Sequence, residues 1–312
     1  MSEQILKSKF LGALLGTGVG DALGAGFEGW YQVKPEEIEA VAKARKVLTY
    51  TDDTHMMIGV AESLIRAGGF DGEDMAYTFV QNYEREPFRG YGPGPPYVFR
   101  LIRAGVAWSE AAQKLYPGGS YGNGSAMRIA PVGVLYHDNP AMLKEVAYKS
   151  SRITHTHHLG MEGAALQAYA IALAANLKPS SALDQSDFLA RLAGFTQEKL
   201  YQQKLDSIRG LLAQPDKSKV VAELGHGIEA FNSVPTAIYS FLVEPNSLVR
   251  ATLHAISLGG DTDTIGAMTG AISGAYLGIE AIPEGWIGKL ENRGYLEELA
   301  EKLYAMYIKD SS

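Results

Sequence analysis

The sequence predicts an all-α protein. Apolar residues recur at intervals of three and four along most of the chain, alternating apolar–polar runs are scarce, and glycines return every fourth residue in two separate segments. In order from the N-terminus, Phe10, Leu11, Leu14 and Leu15 fall on one face of a first helix. Met56, Met57, Val60, Ala61, Leu64 and Ile65 fall on one face of a second. The same period continues through 164–175, 188–192, 248–258 and 265–277. Two runs, 97–102 and 130–136, are too short for their pattern to decide between helix and strand.

Gly12, Gly16, Gly20 and Gly24 form one bare stripe, and Gly266, Gly270, Gly274 and Gly278 form another. Glycine inside a helix costs about 1 kcal/mol relative to alanine, so each stripe calls for compensation. Bare stripes let two backbones approach beyond the spacing that side chains normally impose. The expectation is two central helices, one from each end of the chain, packed tightly within a single domain spanning 1–312. Breakers cluster at 90–96 (GYGPGPP) and 116–124 (YPGGSYGNG). A charged, Gln-rich stretch at about 180–220 reads as a peripheral helical excursion.

Composition narrows the function classes. With 46% apolar and 20% charged residues, 312 residues can bury a core without disulfide or metal staples. The absence of Cys removes thiol nucleophiles, Cys-ligated zinc and iron–sulfur clusters. A net charge of −7 with no long basic run argues against direct nucleic-acid binding. Residues 1–9 are polar, and no clear cleavage site follows. The longest uncharged run considered, 264–279, holds sixteen residues, fewer than the roughly 20 of a spanning helix. A cytoplasmic protein without a membrane partner is the expectation.

Two acidic segments carry the chemistry. Thr51-Asp52-Asp53-Thr54 precedes the helical run that begins at His55, and Asp261-Thr262-Asp263-Thr264 precedes the second glycine-striped helix. Thr and Asp are preferred helix caps, and the helix dipole favours acids there, so capping would explain either segment alone. The alternative is a metal site. Carboxylates and hydroxyls are hard oxygen donors that suit Mg²⁺, Mn²⁺ or Ca²⁺ over zinc or copper. Two converging quartets could hold one ion or a pair. Asp21 lies in the first stripe, as a buried cap or hydrogen-bonding acid. Glu28 follows the Gly24-Ala25-Gly26 run, which could aim its carboxylate into a cleft.

Gly118-Gly119-Ser120-Tyr121-Gly122-Asn123-Gly124-Ser125 leads into a possible helix at Ala126-Met127-Arg128. Such turns present backbone N–H groups to phosphate oxygens. Without Gly-Lys-Ser/Thr or a preceding strand, it is neither a Walker loop nor a dinucleotide fingerprint. Tyr121 could stack on a base. Thr154-His155-Thr156-His157-His158 gathers three of the seven histidines. No zinc spacing accompanies them, which leaves structural roles or a neutral donor to a phosphate or ribose hydroxyl.

Together, Gly20-Asp21-Ala22-Leu23-Gly24 with Glu28, Thr51-Asp52-Asp53-Thr54, the 119–124 loop, Thr154-His155, Ser233-Val234-Pro235-Thr236-Ala237 and Gly259-Gly260-Asp261-Thr262-Asp263-Thr264 resemble the ADP-ribosylglycohydrolases. That family includes the dinitrogenase reductase-activating glycohydrolase and the vertebrate ADP-ribosylhydrolases. The resemblance runs in the family's order over roughly residues 10–290, while 180–220 carries no signature. It implies an all-α orthogonal bundle with two Mg²⁺ or Mn²⁺ ions at the bottom of a cleft. It implies Thr51, Asp52, Asp53, Asp261, Asp263 and Thr264 as metal ligands, and Glu28 as a mobile catalytic acid beside the metals, with Asp53 also at the reacting centre. Gly119, Ser120, Tyr121, Gly122 and Asn123 would form the ADP-ribose loop, with Tyr121 beside adenine and Gly119 at the diphosphate. His155 would contact ribose or phosphate, and Gly227 and Ile228 would line the adenosine end. A second adenine-stacking aromatic would fall near Leu115 or Tyr116.

The implied reaction is metal-dependent hydrolysis of the bond between ADP-ribose and a protein side chain. Cleavage at the anomeric carbon builds oxocarbenium-like charge on the ribose. Metals that chelate the ribose hydroxyls orient the sugar and can place a water, and Glu28 could serve as base or acid. The motifs at 120–124, 233–239 and 260–264 look closer to the serine-specific vertebrate branch than to the arginine-specific nitrogenase type. That branch also acts on poly(ADP-ribose) and O-acetyl-ADP-ribose, so the implied partner is an ADP-ribosylated protein or an ADP-ribose-containing small molecule. Two readings differ in class. A non-catalytic relative, such as the jellyfish lens crystallins, would be expected to lose acids that this chain keeps. A two-metal phosphohydrolase would split the diphosphate instead.

Overall fold

The computed structural model describes residues 2–178 and 183–310, with Asp310 described by its backbone alone. Ser180, Ser181 and Ala182, at the start of the expected excursion, lie outside the described residues. Among the described residues the regular elements are all helices. Extended pairing is limited to two isolated bridges, Leu48 with Leu290 and Gly122 with Glu229.

The two glycine stripes face each other, as their spacing predicts. The helix Glu3–Gly24 packs along Thr262–Leu277. A Cβ on Gly12 would strike the carbonyl of Gly274, one on Gly16 that of Gly270, and one on Gly20 that of Gly266. Rising numbers on one helix meet falling numbers on the other, so the pair is antiparallel. Gly278 departs from the expected stripe. It follows the helix end with φ +86°, and a Cβ there would meet the Ser8 side chain rather than the partner helix.

This register positions the site. The C-terminal end of the first helix, which carries Asp21 and leads to Glu28, lies beside the N-terminal end of the second, which carries Asp263. A Cβ on Gly24 would come within 2.6 Å of Asp263 Cα. The far end of the first helix is held by Lys9. Its buried ammonium donates to Ala174 O at 3.0 Å and to Leu177 O at 2.5 Å, adding a donor to two carbonyls at the C-terminal end of the helix His158–Asn176.

The helix Asp52–Ala67 packs on the first striped helix. His158–Asn176 and Ala230–Val243 pack on the second. Both ambiguous runs are helical. Residues 97–102 fall in Gly94–Arg103, where Val98, Phe99 and Ile102 are buried. Residues 130–135 form Ala130–Leu135, which is buried on every side and so has no polar face to reveal its period. The described part of the excursion is helical, with elements Gln185–Phe195, Lys199–Ala213 and Lys217–Leu224. Its apolar face includes Leu192, Tyr201, Leu205 and Ile208, and Tyr201 donates to Leu159 O at 2.7 Å. No helix among the described residues is long and apolar enough to cross a membrane.

Candidate active site

At the first acidic entrance, a residue from another helix does most of the capping. The fully buried Asp21 carboxylate accepts from Thr51 N at 2.9 Å and Thr54 N at 3.0 Å. The Thr51 and Thr54 hydroxyls lie at 2.9 and 2.6 Å from it. Thr51 Oγ1 adds a weaker cap to Asp53 N at 3.4 Å. Asp52 and Asp53 are thereby released from capping and line the cleft. Asp53 is 2% exposed, and its Oδ1 has no hydrogen-bond partner among the described residues.

At the second entrance Asp261 occupies the N-cap position, but its side chain accepts nothing from that helix's backbone. It accepts instead from Asn123 Nδ2 of the glycine loop at 2.5 Å. Asp263 Oδ1 accepts from Thr264 N at 2.9 Å. Glu28 reaches the same place from the turn after the first helix. That turn is tied across to Gly260, with Gly29 N donating to Gly260 O and Gly260 N to Trp30 O, both at 2.8 Å. Ligand-type oxygens of Glu28, Asp261 and Asp263 lie within 4.8 Å of one another.

These groups open on a cleft of about 230 Å³. Among the sequence-predicted residues, Glu28, Asp52, Asp53, Asp261, Asp263, Thr264, Ser120, Gly122, Asn123, His155 and Ile228 line it. Thr51, Gly119, Tyr121 and Gly227 are not among its lining residues. The Thr51 hydroxyl is occupied by Asp21 and Asp53. Gly119, at φ +85°, lies against Thr156 and His157, where a Cβ would collide with backbone. Tyr121 is 48% exposed and stands edge-on to His157, and Gly227 faces the Glu229 carboxylate. Of Leu115 and Tyr116, Tyr116 lines the cleft.

The glycine loop does not lead directly into a regular helix at 126–128. Its last three residues, Asn123–Ser125, form a single 3-10 turn, and the next helix begins at Ala130. The loop is held by the 226–230 segment. Asn123 N donates to Ile228 O at 2.9 Å, and Ala230 N donates to Tyr121 O at 3.0 Å. His226 O accepts from Asp261 N at 2.8 Å, so one segment braces both the loop and the second acidic entrance.

The breaker cluster contributes lining residues that sequence reasoning left as punctuation: Gly90, Gly92, Pro93, Gly94 and Pro95. A Cβ on Gly90 would sit 3.8 Å from Asp52 Oδ1. The available signal was the density of Gly and Pro, which makes a wall with little side-chain bulk. Met56 and Met127 complete its apolar part.

Gathering these acids has an electrostatic consequence. Burial, followed by the charges of Asp21 and Asp263, pushes Asp52 up to about 8. Burial and Asp261 push Asp263 up to about 7. The Asp53 carboxyl is also well above its ordinary range, first through burial and then through its acidic neighbours. Glu28 is raised chiefly by Asp263 and secondarily by burial. Desolvation and mutual repulsion make full ionisation unfavourable without compensating positive charge. An oxygen-only donor set with an unpartnered buried carboxylate oxygen fits a divalent cation.

The family model described as ADP-ribosylglycohydrolase matches residues 2–312. The chain is 39% identical over 340 residues to ADP-ribosylhydrolase ARH3 of Xenopus tropicalis, covering 97% of this chain and 96% of that one. It is 36% identical over 347 residues to the Homo sapiens protein of that name, covering 97% and 94%. It is 25% identical over 315 residues to ADP-ribosyl-[dinitrogen reductase] glycohydrolase of Rhodospirillum rubrum, covering 93% of each. A solved structure described as an ADP-ribosylglycohydrolase-related protein complex matches with a TM-score of 0.75 at 27% identity, covering 97% of this chain and 99% of that one. The acidic cleft, the whole-length match and these relatives establish that the chain belongs to the ADP-ribosylglycohydrolase family and is a glycohydrolase.

Proposed function

We propose that the protein hydrolyses the bond between ADP-ribose and a serine side chain, using divalent cations held by the two acidic entrances. The observation that carries this reading is their convergence with Glu28 on one cleft, while Asp21 from another helix performs most of the first entrance's capping. Asp52, Asp53, Asp261 and Asp263, with Thr51 and Thr264, are the proposed ligands. Two helix N-termini offer about half a positive charge each, leaving the five cleft carboxylates with excess negative charge. Two Mg²⁺ or Mn²⁺ ions would balance that excess. When bound, they would supply Lewis-acid charge to the ribose hydroxyls and ease deprotonation of a water.

The remaining roles fall to the chain's own groups. Water adds its oxygen to the anomeric carbon, the bond to the serine oxygen breaks, and the serine oxygen gains a proton. Glu28, whose affinity for a proton is raised beside Asp263, is the proposed carrier of that proton. The glycine loop and Ile228 would receive the ADP-ribose. The serine linkage rests on the resemblance of the motifs at 120–124, 233–239 and 260–264 to the serine-specific vertebrate branch, in keeping with 36–39% identity to vertebrate ADP-ribosylhydrolases against 25% to the dinitrogen-reductase glycohydrolase. Contributions to the site from both ends of the chain support a single domain over 1–312.

The test is incubation with serine- and arginine-ADP-ribosylated peptides, with Mg²⁺, Mn²⁺ or chelator. Intact ADP-ribose released from the serine peptide, and abolished by chelation, is expected. Release from the arginine peptide alone would select the nitrogenase-type branch. AMP as product would indicate a phosphohydrolase, and no release from either peptide would indicate a non-catalytic binder. Asp53→Ala and Asp261→Ala are expected to abolish turnover. Glu28→Gln is expected to keep ADP-ribose affinity while losing most of the rate.

A further inference from the structure

Arg128 lies behind the cleft and is fully buried. Its side-chain hydrogen bonds to oxygen go to neutral partners: Nη1 donates to Thr154 Oγ1 and Nη2 to Ser150 O, both at 2.9 Å. Its Nε has no hydrogen-bond partner among the described residues, and its guanidinium lies 4.7 Å from the Phe79 ring centroid. A buried cation without a carboxylate partner is expensive, and an apolar side chain of similar volume would fill this space at lower cost. The charge therefore calls for an explanation beyond packing.

The Thr154 hydroxyl that accepts from Arg128 also lies 2.7 Å from His155 Nδ1. Arginine can only donate, so one Thr154 lone pair is committed to it. If His155 Nδ1 carried a proton, Thr154 Oγ1 would accept twice and its own hydrogen would need another acceptor. No other hydrogen bond from that hydroxyl is present among the described residues. The geometry points to Thr154 donating to a bare Nδ1. The imidazole proton then resides on Nε2, which has no hydrogen-bond partner among the described residues. His155 lines the cleft and is only 7% exposed. Its ring lies against two bare positions: a Cβ on Gly124 would come within 2.7 Å of its Cε1, and one on Gly122 within 3.3 Å of Nε2.

We propose that Arg128 and Thr154 are positioning residues that fix His155 as a neutral imidazole with its Nε2–H offered to an oxygen of the bound ligand. The same arrangement opposes an imidazolium. Burial and the neighbouring guanidinium hold His155 down to about 3, so it does not become a counter-ion for the acids across the cleft. Its role is directional: it presents one donor into the cleft, for a phosphate or ribose oxygen of the ligand. The ligand's identity rests on the ADP-ribose reading above, whereas the tautomer rests on protein contacts alone.

Nitrogen-15 NMR of the full-length, Mg²⁺-loaded protein tests the two independently. The expected wild-type spectrum has an unprotonated, pyridine-like Nδ1 and a protonated, pyrrole-like Nε2. Thr154→Val removes the hydroxyl, so the tautomers should mix and affinity for ADP-ribose should fall about tenfold, as for one lost hydrogen bond. Thr154→Ser should restore both the spectrum and the affinity. Arg128→Lys, which retains charge with fewer donors, should give an intermediate result. A wild-type spectrum with the proton on Nδ1 overturns the proposal even if every variant misfolds. Folded Thr154→Val that keeps both the wild-type tautomer and affinity also overturns it. Failure of the wild type to bind ADP-ribose while showing the Nε2–H tautomer would instead overturn the ligand reading.

Discussion

Removing the cations should turn the acidic end of the cleft into a pH-dependent weakness, and Asp53→Asn should relieve part of it. Burial and Asp261 lift Asp263 from an ordinary 3.8 to about 7, which corresponds to about 4 kcal/mol at roughly 1.4 kcal/mol per pH unit. The direction follows from proton counts. Between about pH 4 and pH 7 the folded protein retains a proton that the unfolded chain has released, so metal-free stability is greatest at low pH and falls as pH rises. From pH 5 to pH 7 one such group accounts for about 2–3 kcal/mol. Neighbouring acids share protons, so their effects do not simply add. Bound Mg²⁺ displaces those protons and should flatten the dependence. Asp53→Asn removes one buried charge, so in chelator near pH 8 it should be more stable than wild type by about 1–3 kcal/mol. It should gain little stability from Mg²⁺. Urea unfolding across pH, in chelator and in Mg²⁺, measures all four conditions. Metal-free stability that is flat or rises with pH, or a less stable Asp53→Asn in chelator, would refute the reasoning.

Asp21→Asn places an amide N–H₂ against donors from Thr51 and Thr54. It should cost about 2–4 kcal/mol and weaken Mg²⁺ binding although no proposed ligand is replaced, as read by thermal unfolding and metal titration. Gly270→Ala should lower stability by about 1–3 kcal/mol through overpacking. Gly210→Ala, within Lys199–Ala213 and facing open space, should raise it by about 0.5–1 kcal/mol. Opposite melting-temperature shifts in these otherwise identical substitutions would confirm the distinction. Lys9→Met leaves the Ala174 and Leu177 carbonyls without this donor and should cost about 1–3 kcal/mol, measured by chemical denaturation.

The glycine period was legible because one cause, backbone contact, repeats at every turn of both helices. The acidic quartets were legible as candidates, but their geometry was not. Distinguishing capping from metal binding depended on Asp21, which reaches Thr51 from thirty residues away in the chain. No local pattern distinguishes a cap supplied by another helix. Gly278 fits the period by number alone, because its positive φ belongs to the turn that ends the helix. The 90–95 wall was missed for a different reason. Gly and Pro disclose that a segment is irregular, but not which surface it will cover. Arg128 was noted as part of a possible helix start, although its importance follows from its three-dimensional relation to Thr154 and His155.

The glycine stripes and the acids make sense as parts of one arrangement. Helices separated by ordinary side chains pack about 8–10 Å apart, whereas metal–ligand distances tolerate only about 0.2 Å of variation. Asp21 lies at the end of one striped helix and Glu28 in the turn that follows it, while Asp261 and Asp263 lie at the start of the other. A Cβ at Gly20 or Gly24 would intrude on the opposing backbone, so any side chain at these positions would force the acidic ends apart. The resulting displacement would be large on the scale of metal coordination even where the core could absorb it. Gly270→Ala should therefore weaken Mg²⁺ binding by more than its loss of stability alone predicts, although that residue lies within the helix pair rather than in the cleft. If metal affinity follows global stability alone, the helices hold the acids less rigidly than their contacts imply.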